Sequence, residues 1–271
     1  MPELPEVETT RRGIAPFLVG QEIRTLLVRE RRLRWPIPAG LEARVAGQRI
    51  LSVSRRGKYL ILGLQQGSLI LHLGMSGSLR VTSADTPPAR HDHLDLILQD
   101  GSCLRMRDPR RFGSLLWTDQ PPLTHPLLAH LGPEPLSDGF DGAYLHRLAG
   151  QRRVAIKTLI MDAKVVVGVG NIYANESLFL AGIHPRRACH RISRKRLEQL
   201  ARTIKRLLGA AIAQGGTTLR DFQREDGSPG YFALSLQVYG KSGEPCPRCG
   251  RPIRQRRIGQ RSSYYCGHCQ R

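Results

Sequence analysis

Four cysteines near the end of the chain constrain its fold more than any other feature. They form two pairs, Cys246-x2-Cys249 and Cys266-x2-Cys269, with 16 residues between the pairs. This spacing is typical of a tetrahedral zinc site of four thiolates, in which each pair forms one knuckle of a two-stranded β-ribbon. Because such a module is too small to fold alone, the binding energy of the metal would hold it together. The pattern therefore predicts one structural zinc ion in a ribbon at residues 241–271.

The charge of the chain indicates a polyanionic partner. It carries 42 Lys and Arg against 22 Asp and Glu, a formal net charge of +20. Nucleic acid is the first candidate for such an excess. Basic residues concentrate in two segments: 186–206 holds nine against one acidic residue, and 241–271 holds eight against one. A solvated surface that serves only solubility is the alternative, but both segments coincide with predicted functional elements.

The N-terminal segment and the hydropathy bear on the compartment. No apolar run approaches the roughly 18 residues of a membrane span, and Glu3, Glu6 and Glu8 interrupt the place where a signal peptide would have its apolar core. We therefore expect a cytoplasmic protein, nucleoid-associated in a bacterium, with no membrane partner. Disulfides are rare in that compartment, which favours zinc over disulfides at the four cysteines. Cys103 and Cys189 are isolated and are expected to pack.

The first half of the chain predicts an α+β fold, an N-terminal helix beside an antiparallel β-sandwich. Leu4, Val7 and Ile14 have helical spacing, which predicts a helix over 4–15 that ends near 13–16. Short apolar or alternating runs between turn residues then predict strands. These runs lie at 23–28, 50–53, 59–62, 68–71, 78–81, 93–98 and 114–117.

The second half predicts a helical domain. Helical patterns cover 154–161, 171–182 with Asn171 as N-cap, and a long stretch to 212 with Ser193 as cap. The glycine-rich join at 165–171 predicts a helix–two-turn–helix whose backbone amides could face a phosphate. With a linker at 132–135, we predict three domains: the sandwich at 1–133, the helical domain at 134–240 and the zinc finger at 241–271.

The N-terminal residues can carry covalent chemistry. Removal of Met1 would leave Pro2 with a free secondary amine, and an α-amino group titrates at about 7.7–8.0, so a fraction is a neutral nucleophile. Attack on a sugar carbon would give an iminium cation that withdraws electrons, as a lysine Schiff base does. Glu3 is a candidate acid/base beside the amine, and Glu6 lies one turn further on. An ordinary helix start with proline and acidic residues is the alternative.

Several motifs together resemble bacterial formamidopyrimidine-DNA glycosylase, and the resemblance covers residues 1–271. The motifs are Met1-Pro-Glu-Leu-Pro-Glu-Val-Glu8, His72-Leu-Gly-Met-Ser-Gly-Ser78, His91-Asp-His93, Asp108-Pro-Arg-Arg-Phe-Gly113, Val167-Gly-Val-Gly-Asn-Ile-Tyr-Ala174, Gln214-Gly-Gly-Thr-Thr218 and the four-cysteine ribbon.

The resemblance implies a bifunctional DNA repair enzyme, a glycosylase and AP lyase. Its partner would be double-stranded DNA containing oxidised purines, 8-oxoguanine or formamidopyrimidines, and it would act as a monomer and nick the strand by β- and δ-elimination. Pro2 would be the Schiff-base nucleophile and Glu3 its acid/base partner. Lys58 would assist β-elimination, and Arg261 on the ribbon would assist δ-elimination. Residues 217–231 would close over the lesion as a lid.

The same resemblance implies six DNA-contacting residues. His91, Arg110, Arg153 and Asn171 match DNA-contacting positions, while Met75, Arg110 and Phe112 match residues that fill the gap left by an extruded base. A sugar carbon inside a duplex is unreachable, so the nucleotide must rotate out of the stack. An unbranched Met, a planar Arg and an aromatic Phe suit the space it leaves. Core packing is the alternative for Met75 and Phe112, but their glycine neighbours favour loop tips.

Three other functions are compatible with the residues. An endonuclease VIII-like enzyme would remove oxidised pyrimidines instead, and activity on thymine-glycol duplexes would identify it. A non-catalytic zinc-ribbon DNA-binding protein would bind without cleaving, but it leaves the N-terminal Pro-Glu unexplained. A structural RNA-associated protein is more remote.

Overall fold

The computed structural model describes residues 2–215 and 236–271, which fall into two compact units. Of the described residues, the first unit holds 2–130 with 214 and 215, and the second holds 131–213 with 236–271. The predicted lid at 217–231 lies outside the described residues. The three domain boundaries given above stay a prediction.

Helix α1, Leu4–Leu18, opens the first unit and is longer than predicted. The expected end near residues 13–16 was wrong, because Pro16 lies inside the helix. Proline removes one backbone donor, but Val19 N still donates to Ala15 O at 3.0 Å, and the helix continues. Leu18 is fully buried, so the last turn is held by its packing against the core.

Eight strands of the first unit form two antiparallel four-stranded sheets, which confirms the α+β class and the β-sandwich. One sheet has the order β1-β6-β7-β5 and the other β2-β3-β4-β8. A short helix, α2 (Leu41–Val45), lies between β1 and β2 in sequence. The strands are β1 Ile23–Val28, β2 Ile50–Arg56, β3 Tyr59–Leu64, β4 Ser68–His72, β5 Ser78–Ser83, β6 Asp92–Leu98, β7 Ser102–Arg107 and β8 Ser114–Thr118.

Strand β7 was not predicted, and a buried ion pair explains why. Arg105 is 1% exposed, and its guanidinium makes two hydrogen bonds of 2.8 Å to the carboxylate of Asp95 on β6. The charge of Arg105 is neutralised by a residue of the neighbouring strand, and the local sequence of 102–107 does not show this partner. Apolar side chains of both sheets otherwise form one continuous core with α1.

The second unit is helical and ends in a β-ribbon, and within it α3 was not predicted. Asp141 caps α3 by accepting a hydrogen bond from Tyr144 N at 2.7 Å. The helices are α3 Gly142–Gly150, α4 Ile156–Met161, α5 Asn171–Leu180 and α6 Arg194–Ala213, and the ribbon strands are β9 Arg254–Ile258 and β10 Arg261–Tyr265. Within residues 2–215 and 236–271, no helix combines the length and apolar character of a transmembrane segment.

Candidate active site and nucleic-acid interface

The N-terminus of α1 holds the predicted nucleophile and its acid/base partner in a buried position. Pro2 is buried and Glu3 is 2% exposed. Glu3 N donates to Glu6 Oε2 at 2.8 Å, and the Glu3 side chain accepts from the backbone at Glu6, so the two residues form a capping box. Glu6, which the sequence placed one helical turn beyond Glu3, therefore fixes the backbone of Glu3 at the start of the helix.

A charged cluster ties α1 to the turn that carries Lys58. Glu8 on α1 accepts hydrogen bonds from Arg11, Arg12 and Arg55 at 2.8–3.1 Å. Burial raises the pKa of Glu8, but the three guanidiniums outweigh it and lower that pKa to about 2. Arg55 also donates to Gly57 O at 2.8 Å, in the turn between β2 and β3. The turn of the half-buried Lys58 is thereby anchored to α1, the helix that Pro2 and Glu3 directly precede.

His72, at the end of β4, is a site residue that the sequence reasoning did not single out. Its Nδ1 accepts a hydrogen bond from Gly74 N at 3.0 Å, so the neutral ring carries its proton on Nε2. Burial, together with the positive charges of Lys58 and Arg34, lowers the pKa of His72 to about 4. The ring lies 4.7 Å from that of Tyr59, its partner on β3. The sequence could have indicated His72, because it is the first residue of the motif that contains Met75.

The structure brings together the two loops that carry Met75, Arg110 and Phe112. Gly74 has φ +61°, and a Cβ there would lie 2.3 Å from the backbone carbon of Phe112, so only glycine permits this approach. Phe112 is 44% exposed and Met75 is half-buried, which does not fit core packing. The exposed Arg110 guanidinium lies 5.0 Å from the centre of the Phe112 ring. All three side chains therefore belong to one surface of the first unit.

Two non-glycine residues at this surface have left-handed backbones. His91, just before β6, has φ +74°, and Arg111 has φ +56°. Such conformations cost free energy for residues with a Cβ and cluster at functional sites. His91 is half-buried, and its carbonyl accepts a hydrogen bond from Asp108 N at 3.0 Å. The predicted DNA contact at His91 is thus linked to the loop of Arg110 and Phe112.

In the second unit, Arg153 and Asn171 lie at the edges of the helix–two-turn–helix. Arg153 is exposed in the loop between α3 and α4. Asn171 is the first residue of α5, and the N-cap is Gly170, so the expectation that Asn171 caps the helix was wrong. The structure instead uses the Asn171 carbonyl to accept from Asn175 Nδ2 at 2.6 Å.

Arg261 begins β10, and two buried polar residues hold that strand to the helices. The Lys157 ammonium on α4 donates to Ser262 O at 2.8 Å and to Ser263 Oγ at 2.7 Å. Asn175 Oδ1 on α5 accepts from Tyr264 N at 2.7 Å. Arg261 is exposed and lines a cavity of about 420 Å³ together with Lys157, Arg152 and Asp162, among other residues. Both Lys157 and Asn175 are 1% exposed, and neither was predicted as a site residue.

Glu176, which the sequence reasoning also missed, anchors residues 237–239 to α5. Its carboxylate accepts hydrogen bonds from Gln237 N, Val238 N and Tyr239 N at 2.8–2.9 Å. Burial raises the pKa of Glu176, although the three backbone donors act in the opposite direction. An acidic residue within the α5 sequence, directly after Asn175, was the only signal for this role.

The four cysteines fit a tetrahedral zinc ion. Their sulfur atoms lie within 4.8 Å of one another, with Cys246–Cys269 at 3.9 Å and Cys249–Cys266 at 3.5 Å. Zinc–sulfur bonds of about 2.3 Å in a tetrahedron require sulfur atoms roughly 3.8 Å apart. The predicted structural zinc site is therefore confirmed by its donor set, and Cys246 and Cys266 also pack with Phe179 of α5 in an apolar cluster.

Comparisons with known proteins agree along the whole chain. Residues 1–115 match the formamidopyrimidine-DNA glycosylase N-terminal domain, 131–223 the formamidopyrimidine-DNA glycosylase H2TH domain, and 243–271 a zinc finger found in FPG and IleRS. The formamidopyrimidine-DNA glycosylase of Nitrosococcus oceani is 61% identical over 270 residues, and that of Methylococcus capsulatus is 60% identical over 271; each alignment covers both chains completely.

Solved structures give the same result. MutM (Fpg) from Thermus thermophilus superposes with a TM-score of 0.89 at 38% identity, covering 99% of this chain and 98% of that one. Wild-type Lactococcus lactis Fpg, in a complex with DNA containing N7-benzyl-Fapy-dG, superposes with a TM-score of 0.92 at 34% identity over the full length of both chains. With three domain matches in one order and near 60% identity from end to end, the chain belongs to the formamidopyrimidine-DNA glycosylase family of DNA repair enzymes.

Proposed function

We propose that the enzyme excises 8-oxoguanine and formamidopyrimidines from double-stranded DNA and then nicks the strand by β- and δ-elimination. One observation is the main support for a mechanism in which the base is extruded: the loop of Met75 contacts the loop of Phe112. Side chains of these types offset the stacking that is lost when a nucleotide leaves the duplex. The Lactococcus lactis relative was solved on DNA carrying a formamidopyrimidine lesion, which supports the same substrate class.

The proposed nucleophile is the secondary amine of Pro2 after removal of Met1. A bond forms between this nitrogen and the sugar C1′ as the bond from C1′ to the base breaks. Glu3 acts as the general acid and base that donates and accepts protons in these steps. Opening of the sugar ring then gives an iminium cation, which acidifies the neighbouring sugar carbon. Loss of that proton expels the 3′ phosphate, and a second elimination expels the 5′ phosphate. The proposed roles of Lys58 and Arg261 are to assist the first and second elimination.

The remaining residues would bind the DNA. We assign His91, Arg110, Arg153 and Asn171 to contacts with the DNA, and Met75, Arg110 and Phe112 to the gap in the stack. The net charge of +20 supplies the long-range attraction to the phosphates. The zinc ion would hold the ribbon that carries Arg261, because its four thiolates leave no open coordination position for substrate. We place the enzyme on DNA as a monomer in the bacterial cytoplasm, associated with the nucleoid.

Borohydride trapping tests the nucleophile. Reduction of the iminium converts it into a stable covalent adduct of protein and DNA, so the wild-type enzyme should give a band of lower mobility on denaturing gels. Pro2→Gly, or a protein that retains Met1, should lose this adduct. Pro5→Ala is the matched control, because it changes the next proline of α1 and leaves the terminal amine intact. An undiminished adduct without the Pro2 amine refutes the assignment.

Substrate choice separates the proposal from its rivals. The enzyme should cleave a duplex with 8-oxoguanine opposite cytosine faster than one with thymine glycol. The reverse order would indicate an endonuclease VIII-like specificity. Binding to either duplex without any strand cleavage would indicate a non-catalytic DNA-binding protein.

A further inference from the structure

We propose that the buried carboxylate of Asp108 is a positioning group that fixes the Met75 loop and the Phe112 loop in one arrangement for base extrusion. This inference rests on the proposed function, because it concerns how the gap-filling side chains are aligned. Asp108 itself is 0% exposed and does not reach the DNA-facing surface.

The side chain of Asp108 bonds to both loops. Its Oδ1 accepts from Ser76 Oγ at 2.8 Å and from Arg110 N at 3.3 Å, and its Oδ2 accepts from Gly113 N at 2.7 Å. Ser76 follows Met75 directly, while Arg110 and Gly113 are on either side of Phe112. The Ser76 hydroxyl also accepts from Arg110 N at 3.2 Å, which adds a second direct bond between the loops.

The backbone of Asp108 extends the connection to a third DNA-facing segment. Asp108 N donates to His91 O, and Asp108 O accepts from Arg111 N at 3.2 Å and from His93 Nε2 at 2.8 Å. His91 and Arg111 are the two residues with left-handed backbones at this surface. These bonds therefore hold the two strained positions as well as the two loops.

The groups that donate hydrogen bonds to the Asp108 side chain indicate that it positions the loops and does not merely neutralise a positive charge. Within the described part of the chain, all three donors to its carboxylate are neutral groups, one hydroxyl and two backbone amides. Hydrogen bonds to an ionised acceptor are about twice as strong as neutral ones and are directional. Gly74 and Gly113 complete the arrangement, because a Cβ at Gly113 would lie 3.0 Å from Asp108 Oδ2.

Alignment of these loops should matter more for one half of the reaction. Extruding a damaged nucleotide from an intact stack requires that side chains enter the gap while the base leaves. A preformed abasic site has no base to unstack, so its cleavage depends less on that alignment. Loss of the link between the loops should therefore slow base excision more than abasic-site cleavage.

Ser76→Ala tests this inference. It removes the hydroxyl that joins the loops and leaves every charged group in place. We expect the ratio of the single-turnover excision rate on 8-oxoguanine to the nicking rate on an abasic duplex to fall roughly tenfold. Ser114→Ala is the matched control, because Ser114 is also buried and follows Gly113 directly, and its hydroxyl has no hydrogen-bond partner among residues 2–215 and 236–271. The control should keep the wild-type ratio.

Asp108→Asn provides a second measurement. The amide can accept from Ser76 or from Gly113 N but cannot accept from both sides, so the same ratio should fall further than in Ser76→Ala. A wild-type ratio in both variants, with folding verified by circular dichroism, overturns the inference. Equal slowing of both reactions also overturns it, since that result indicates only a loss of structure. The proposed function fails separately, if the wild-type enzyme neither excises 8-oxoguanine nor forms the borohydride adduct.

Discussion

Gly74→Ala should damage the first unit through two separable effects, one local and one across loops. At φ +61° any residue with a Cβ pays a conformational penalty, about 1–2 kcal/mol. The added methyl would also overlap three backbone atoms of the opposite loop, at 2.3–2.5 Å from Phe112 and Gly113. Because backbone atoms cannot rotate away as a side chain could, the loops must separate, and we expect a further cost of about 1–3 kcal/mol.

Gly101→Ala isolates the first effect from the second. Gly101, in the turn between β6 and β7, has φ +84°, and no atom of the described residues lies within 4 Å of the added methyl. Gly101→Ala should therefore lose only the stability that corresponds to the conformational penalty of a Cβ at positive φ. The difference in unfolding free energy between the two variants therefore measures the contact between the loops, and we expect Gly74→Ala to be less stable by about 1–3 kcal/mol.

Tryptophan fluorescence makes this measurable in the intact protein. Both tryptophans, Trp35 and Trp117, belong to the first unit, so their signal during urea unfolding reports that unit. Base excision should be slowed in Gly74→Ala and unchanged in Gly101→Ala. Equal loss of stability in the two variants would show that the loops do not depend on this contact, and the reasoning would be refuted.

Three further outcomes follow from the charged and metal sites. Glu8→Gln should destabilise the first unit at pH 7 by about 1–2 kcal/mol, less than its pKa displacement alone suggests because Arg12 is mostly exposed and screened. Because the pKa of Glu8 is lower in the folded protein than its unfolded value of 4.5, the ionised carboxylate stabilises the fold at pH values above 4.5. The difference in unfolding free energy between wild type and Glu8→Gln should therefore shrink as the pH falls from 4.5 towards 2. A difference that stays constant over that range in urea titrations would contradict this. Lys157→Met should slow strand nicking at least tenfold, because the strand of Arg261 loses the two hydrogen bonds that Lys157 donates to it. Lys164→Met replaces a lysine outside these contacts and is the control. Equal nicking rates in the two variants would show that these hydrogen bonds do not position the strand. Removal of zinc by a chelator should abolish DNA binding and expose Phe179, with recovery on re-addition, and full binding by metal-free protein in a gel-shift assay would exclude a structural role for the metal.

The sequence predicted most of the fold where apolar pattern and turn residues agree. The seven expected strands all occur, and the cysteine spacing led directly to a site whose sulfur separations suit zinc. It did not show β7, because Arg105 neutralises its charge against Asp95 on a neighbouring strand, and this pairing across the sheet leaves no local pattern.

The candidate site shows the same division between local and distant information. The motifs supplied the residues that touch substrate in the proposed reaction. They contained Asp108 without indicating its role, and they did not contain Lys157 or Asn175. The importance of all three comes from buried contacts between segments far apart in the chain. The N-cap of α5 was also predicted wrongly: it is Gly170, although Asn171 is of a residue type that is favoured at an N-cap.

The left-handed backbones at His91, Arg111 and Gln260 have a consequence for engineering. Glycine at any of these positions would relieve the penalty and raise the melting temperature, so a screen that selects only for heat resistance would favour these replacements. Each replacement would also delete a polar side chain at, or directly beside, a position that we assign to the handling of DNA. Substitutions that raise thermal stability at these three positions should therefore lower the DNA repair activity.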